Sequence, residues 1–294
     1  VNRIVEKRAL ADRVWLLRIE APRIAKKRKA GQFIMVRSRE GGERIPLTIA
    51  DANPDDGTIS LVIQVVGKST SMLCSLEVGD SVLDLVGPLG KPTHIEKVGT
   101  VAMVGGGIGV APLHPIAQAL KQAGNRVISI LGARNQSLLI LREEMTRASD
   151  EIRIVTDDGS EGRKGLVTVE LLNLIENGPK PDMVVAIGPA IMMKAVSELT
   201  RPYGIPTVVS LNPVMVDGTG MCGGCRILVD GKNQFACVDG PEFDGHLVDF
   251  DTMMARQRTY REYEQEAVAE WQEEGHKIGE EGCRLAPKAG ANNE

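Results

Sequence analysis

The chain has 294 residues, of which 43% are hydrophobic, enough apolar content for two medium domains and an appendage. A formal charge of −4 and an aromatic fraction of only 3% exclude both a basic footprint for nucleic acid and a stacking platform for bases. No apolar run approaches the ~18 residues of a membrane span and no charged-then-apolar leader opens the chain, so a cytoplasmic protein is expected.

Residues 1–96 read as a domain of short strands. "RVWLLRIEA", "GQFIMVRS", "TISLVIQVV" and "DSVLDLVGP" are β-rich runs separated by Gly-, Pro- and Asp-rich turns, with one helical turn near "STSMLCSLEVGD". That grammar predicts a small antiparallel β-barrel. Residues 97–210 change to strands alternating with helices, beginning with "GTVAMVGGG" and "VAPLHPIAQALKQAGN" and ending on the strand "TVVSLNP". This predicts a Rossmann-like α/β domain whose parallel sheet is covered on both faces. Residues 211–250 are Gly- and Cys-rich and too short for an apolar core of their own. The tail, 251–294, is charged and helix-prone to about Glu274, which suits either a helix docking a partner or a solvated terminal helix.

Two glycine turns in the α/β domain stand out. In "VGGGIGVAP", Gly106, Gly107 and Gly109 join a strand to a helix, where backbone N–H groups and the helix dipole can receive a phosphate. In "AIGPAIMM", Gly188 and Pro189 again follow a strand and precede a helix. Turns at two strand C-termini of one sheet face the same crevice, where open α/β sheets bind ligands, so a nicotinamide dinucleotide is expected there. Arg134, after the second strand of this domain, is positioned to meet a 2′-phosphate, which leaves the choice between NAD and NADP open. His114 is expected in the core.

The barrel offers "ERIPLTIAD", with Arg44, Pro46, Leu47 and Thr48 near a strand, and "VVGKSTSML", with Gly67, Ser69 and Thr70 at the mouth of a short helix. An arginine beside a hydroxyl and free N–H groups suits a diphosphate or the edge of a flavin ring. Each motif taken alone also reads as a surface arginine or an ordinary helix cap.

Three of the five cysteines crowd into "MCGGC" and "FACVDG" as Cys222, Cys225 and Cys237. Three chemistries fit: a zinc knuckle, a redox dithiol of Cys222 and Cys225, or a [2Fe–2S] cluster. Plant-type clusters use C-x4-C-x2-C and a distant fourth cysteine. Asp217, Cys222, Cys225 and Cys237 reproduce that spacing with aspartate in the first slot. Cys74, in apolar "SMLCSL", is expected to be a core thiol, and Cys283 is unassigned.

The order of these parts, with "GGGIGVAP" and "IGPAIMM" as they stand, resembles the ferredoxin–NADP reductase superfamily. The cysteine segment is similar to that of dihydroorotate dehydrogenase electron-transfer subunits, and more so to the small subunits of the NADH-dependent reduced ferredoxin:NADP oxidoreductase type, in which the first slot can be aspartate. The resemblance covers about residues 1–250. It implies FAD on the barrel, NAD(H) on the glycine turns and a [2Fe–2S] cluster on Asp217, Cys222, Cys225 and Cys237. It also implies a heterodimer with a larger, glutamate-synthase-like flavin and iron–sulfur subunit, indirect exchange with ferredoxin, and flavin-based electron bifurcation. Ile187 stands where the superfamily often has cysteine near the nicotinamide, so that residue's role does not carry over. The competing readings are the corresponding subunit of dihydroorotate dehydrogenase, against which Asp217 argues, and a non-enzymatic module using zinc and a nucleotide as structural ligands. Hydride transfer asks no side chain to act as acid or base, so no catalytic side chain is assigned.

Overall fold

The computed structural model describes residues 2–275. Its first sheet contains β1 (Ile4–Ala11), β2 (Val14–Glu20), β3 (Phe33–Arg37), β4 (Ile45–Asn53), β5 (Thr58–Gln64) and β6 (Asp84–Leu89), in the antiparallel order β1-β2-β5-β4-β3-β6. The lead-in to β6 returns to the start of β1, where Arg3 bridges Ser81 and the Val82 N–H donates to the Asn2 carbonyl, curling the sheet into a barrel. Two short helices, α1 (Pro22–Lys27) and α2 (Lys68–Cys74), lie against it. Inside are Leu17, Ile19, Ile34, Leu61 and Cys74, so the expected core thiol is there. Sequence reading missed β1, whose "IVEKRALA" is interrupted by three consecutive charges; only Ile4 of this strand is fully buried.

The second sheet is built from β7 (Thr100–Gly106), β8 (Arg126–Ala133), β9 (Glu151–Thr156), β10 (Arg163–Lys164), β11 (Met183–Ile187) and β12 (Thr207–Ser210). Helices α3 (Val110–Gln122), α4 (Arg142–Ala148), α5 (Val167–Asn177) and α6 (Ala190–Thr200) alternate with them. The cysteine segment then supplies a hairpin, β13 (Arg226–Val229) and β14 (Lys232–Phe235), followed by β15 (Glu242–Asp244). The sheet order is β10-β9-β8-β7-β11-β12-β15, parallel through β12 and antiparallel at β15. "TVVSLNP" is therefore the last parallel strand but not the edge. Three residues of the cysteine segment pair with it, Ser210 opposite Glu242, and cover backbone groups that an edge would leave open.

The cysteine segment has no separate core. Met215, Cys225, Ile227, Ala236 and Cys237 pack into one cluster with Val184 and Val209 of the second sheet. Two barrel residues join the same cluster: Phe33 and Met35 point out of the barrel while Ile34 and Val36 point in. On another outer face, Val14, Leu16, Ala50 and Val62 pack with α3.

The tail forms α7 (Phe250–Gln257) and α8 (Arg261–Glu273). The Asp249 carboxylate caps α7 by accepting the Thr252 N–H at 2.9 Å, and Asp251 pairs with Lys194 of α6 at 2.8 Å. From there α8 crosses to the barrel and meets α2, with Trp271 only 1% exposed and the Arg39 guanidinium 5.1 Å from its ring centre. Both helices thus lie on their own chain. Cys283 falls outside the described residues.

Candidate functional site

β7 and β11 are parallel neighbours with Gly105 opposite Ile187, so their C-terminal turns open on the same crevice. Gly107 has φ +55°, a backbone that favours glycine. Gly109 has an ordinary φ, yet a Cβ there would lie 2.2 Å from the Ile187 carbonyl oxygen. A Cβ on Gly106 would lie 2.4 Å from the Met192 sulfur, and one on Gly188 would lie 2.8 Å from Met192 Cε. The two turns are packed against each other with no room for side chains at Gly106, Gly109 and Gly188, whereas Gly107 faces open space. Pro189 precedes α6, and neither α3 nor α6 carries an acidic residue in its first turn, which leaves both N-termini attractive to an anion. His114 is turned away from the crevice: it is 5% exposed, with Nδ1 3.3 Å from the Ala50 carbonyl oxygen. Burial is the main cause that lowers its pKa, so it ties α3 to β4 as a neutral side chain.

On β4 the strand alternation divides the candidates. Pro46 and Thr48 stand opposite Met35 and Phe33 and share their outward face, whereas Leu47 stands opposite Ile34 and packs toward the barrel core. The Arg44 guanidinium donates to Asp84 at 2.9 Å, and Arg37 reaches the same carboxylate at 2.7 Å. Arg37 is the leading cause that holds Asp84 below the usual carboxylate range. The Ser69 hydroxyl donates to Glu43 at 2.6 Å, which joins the two barrel motifs into one rim. The Thr70 hydroxyl accepts the Val66 and Gly67 N–H groups at 3.0 and 3.1 Å and fixes the turn into α2. Arg44 and Ser69 thus each present a donor on this rim, both engaged by carboxylates.

Gly218, Gly220 and Gly223 hold φ of +76°, +85° and +69°, so the cysteine loop turns where side chains are disfavoured. Cys225 and Cys237 are buried with their sulfurs 3.2 Å apart; two thiolates on one tetrahedral ion with metal–sulfur bonds of ~2.3 Å need a little more room. The exposed Cys222 sulfur accepts the Gly224 N–H at 3.4 Å, and the Cys225 sulfur accepts the Cys237 N–H at 3.4 Å. Asp217 accepts the Thr219 N–H on one oxygen and the Cys222 N–H on the other, each at 2.7 Å. The Thr219 bond is the leading cause that keeps its carboxyl below the ordinary range. Burial, aided by Cys225, pushes the Cys237 thiol up to about 12, so metal binding must release its proton.

Among the described residues no three His, Cys, Asp or Glu groups converge on one point. The loop instead holds the Cys225 and Cys237 sulfurs together inside, while Asp217 at the surface accepts the backbone N–H of Cys222. A single zinc ion would draw four ligands around one centre, whereas a two-iron cluster takes two on each iron, and the Cys225–Cys237 sulfur pair suits one such iron.

No motif in the sequence surrounds Glu242. Its carboxylate accepts the Thr93 hydroxyl at 2.5 Å, linking β15 to the segment between barrel and second sheet, and burial pushes it up to about 7. Met35 and Phe33 were equally hidden, because "FIMV" is one apolar run with no alternation to show that both faces are buried.

Residues 103–198 match the oxidoreductase NAD-binding domain family, and residues 212–249 match the iron–sulfur cluster binding domain of dihydroorotate dehydrogenase B. A Thermotoga maritima protein described as a dihydroorotate dehydrogenase B (NAD(+)) electron transfer subunit homolog is 49% identical over 264 residues, 90% of this chain and 93% of that protein. The Desulforamulus reducens electron transfer subunit of dihydroorotate dehydrogenase B is 34% identical over 80% of this chain and 92% of its own length. Among solved structures, a chain of NADH-dependent reduced ferredoxin–NADP oxidoreductase, studied for flavin-based electron bifurcation, superposes with a TM-score of 0.88 at 47% identity, covering 92% of this chain and 98% of that one. The fold is ferredoxin-reductase-like, with an NAD-binding oxidoreductase domain and an iron–sulfur-binding domain.

Proposed function

The chain belongs to the family of dihydroorotate dehydrogenase B electron-transfer subunits and their homologues, and from that premise we propose the path its electrons take. The subunit would hold NADH at the glycine turns, FAD on the barrel rim and a [2Fe–2S] cluster on the cysteine loop, and would exchange electrons with a larger partner subunit. Bound FAD would accept a hydride and release electrons singly, and a bound cluster would carry them one at a time. The chain's own residues bind and orient. Gly106, Gly107, Gly109, Gly188 and Pro189 admit the dinucleotide. Arg44, Pro46, Thr48, Gly67, Ser69 and Thr70 hold the flavin, with Leu47 behind them in the barrel wall. Asp217, Cys222, Cys225 and Cys237 hold the cluster. The observation that carries the reading is the joined Cys225 and Cys237 sulfurs, in a loop with Asp217 and Cys222, beside two interlocked glycine turns in one chain.

The preferred setting is an electron-bifurcating ferredoxin:NADP transhydrogenase-type complex in the cytoplasm, with a glutamate-synthase-like partner. It is supported by aspartate in the first ligand slot and by the 47% identity to the oxidoreductase chain. Service to dihydroorotate oxidation is the second reading, supported by the 34% identical Desulforamulus reducens subunit. Among the described residues no helix is long and apolar enough to cross a membrane. Anaerobic purification from the native source with identification of the co-purifying large subunit separates the two. A glutamate-synthase-like chain supports the first reading, and a dihydroorotate-oxidising chain overturns it in favour of the second.

A further inference from the structure

We propose that Met35, flanked by Phe33, is the partition between the flavin side and the cluster side of this subunit, and that it fixes their separation and keeps the junction dry. The inference rests on the cofactor placement under Proposed function.

The outward face of the barrel runs over three neighbouring strands. Pro46 and Thr48 lie on β4; Met35 and Phe33 lie on β3; Val86 and Leu89 lie opposite them on β6. Adjacent strands are roughly 4.8 Å apart, so Met35 is one strand from the flavin motif. The cysteine loop sits on the other side. A Cβ on Gly218, the residue after Asp217, would lie 2.7 Å from Met35 Cγ and 2.9 Å from Leu89 Cδ1. Met35 is 1% exposed and shares one apolar cluster with Cys225 and Cys237. Outward residues of a small barrel normally meet solvent; here Phe33 and Met35 are as buried as the barrel core, at 3% and 1%.

A thioether fills such a gap without offering a strong hydrogen bond to water. The proposed step moves one electron across this side chain: the flavin side is oxidised by one electron, the cluster side is reduced by one, and neither a bond nor a proton crosses. The electrons come from a reduced nicotinamide. Reduction adds negative charge at the cluster, and Met35 keeps water from the side of it that faces the barrel, so Met35 holds the cluster potential down.

The test uses the full chain, loaded anaerobically with both cofactors, and compares Met35→Gln, Met35→Leu and Ile34→Val. In Met35→Gln the flavin and iron contents and the rate of flavin bleaching by NADH stay native. The cluster midpoint, followed by EPR-monitored titration, rises by ~59 mV, which is about tenfold in a one-electron equilibrium. The cluster reduction rate changes with it. Met35→Leu restores both values. Ile34→Val, pointing into the barrel core, lowers the melting temperature and moves neither. A fully loaded Met35→Gln protein with native midpoint and native cluster reduction rate overturns the proposal. If the Gln variant loses its cofactors, Met35→Ala is judged by the same two values. A native chain that binds no flavin or no cluster fails before any variant is made, and overturns the cofactor placement itself.

Discussion

A carboxylate in the first slot of the cysteine loop carries the same formal charge as a thiolate but is a harder donor. Asp217 also organises the loop, because both oxygens accept backbone N–H groups. The two roles separate on substitution. Asp217→Ala removes ligand and acceptors together, whereas Asp217→Asn keeps an acceptor but loses the anionic ligand. As a ligand, Asp217 requires that both variants lose most of their iron while flavin content stays native; an Asn variant with native iron assigns the residue to the loop alone. At the glycine turns, Gly109→Ala places a methyl against the Ile187 carbonyl. NADH affinity is expected to fall at least tenfold, ~1.4 kcal/mol, by titration of flavin bleaching, with the cluster spectrum unchanged. Glu242 sets a pH dependence. Burial pushes its carboxyl up to about 7 in the folded state, above the ordinary 4.5. Below the lower value the carboxyl is neutral folded or unfolded and its contribution is complete. Between the two the folded state holds a proton the unfolded state has released, so stability falls as pH rises. Melting temperatures at about pH 5 and about pH 8 should show a fall that Glu242→Gln abolishes, amounting to a few kcal/mol at most. An identical fall in the Gln variant assigns the dependence to another group.

At the scale of elements, the sequence is most legible where a period or a spacing is complete. The strands of the second sheet and α3 could be read because apolar runs alternate with glycine turns. The spacing of Asp217, Cys222, Cys225 and Cys237, the proposed ligands, is visible in the sequence because spacing along the chain survives folding. β15 could not be read, since "EFD" is a strand only because the edge of β12 needs a partner. Nor could the division of β4, where Leu47 faces away from Pro46 and Thr48 until the register with β3 is known. The contacts of Met35 and Glu242 join segments far apart in sequence and leave no local pattern. The tail was legible as helix but not in its destination, because α8 meets a barrel helix nearly two hundred residues upstream. Trp271→Ala should release α8 without unfolding the barrel, at a local cost of ~3 kcal/mol. Hydrogen exchange across Arg261–Glu273 should speed up strongly while exchange in β1–β5 stays native. Unchanged protection of α8 would falsify the anchoring role of Trp271.

Over the whole molecule, the barrel, the parallel sheet and the cysteine segment share apolar clusters instead of hanging on linkers. The barrel leans on α3 through Val14, Leu16, Ala50 and Val62, and on the cysteine loop through Phe33 and Met35. α7 and α8 then run from α6 and β13 back to α2. Such a body keeps its three proposed cofactor positions at fixed separations, which one-electron transfer in series needs. On the proposed path a single chain would carry electrons from NADH through a flavin to a two-iron cluster. Anaerobic mixing of the loaded native chain with NADH, with visible spectra and EPR followed together, tests that path. The flavin band should bleach first and a reduced [2Fe–2S] signal should grow as it does so, with two irons per chain. A colourless zinc-containing protein, or a flavin that bleaches while no cluster signal develops, would contradict it.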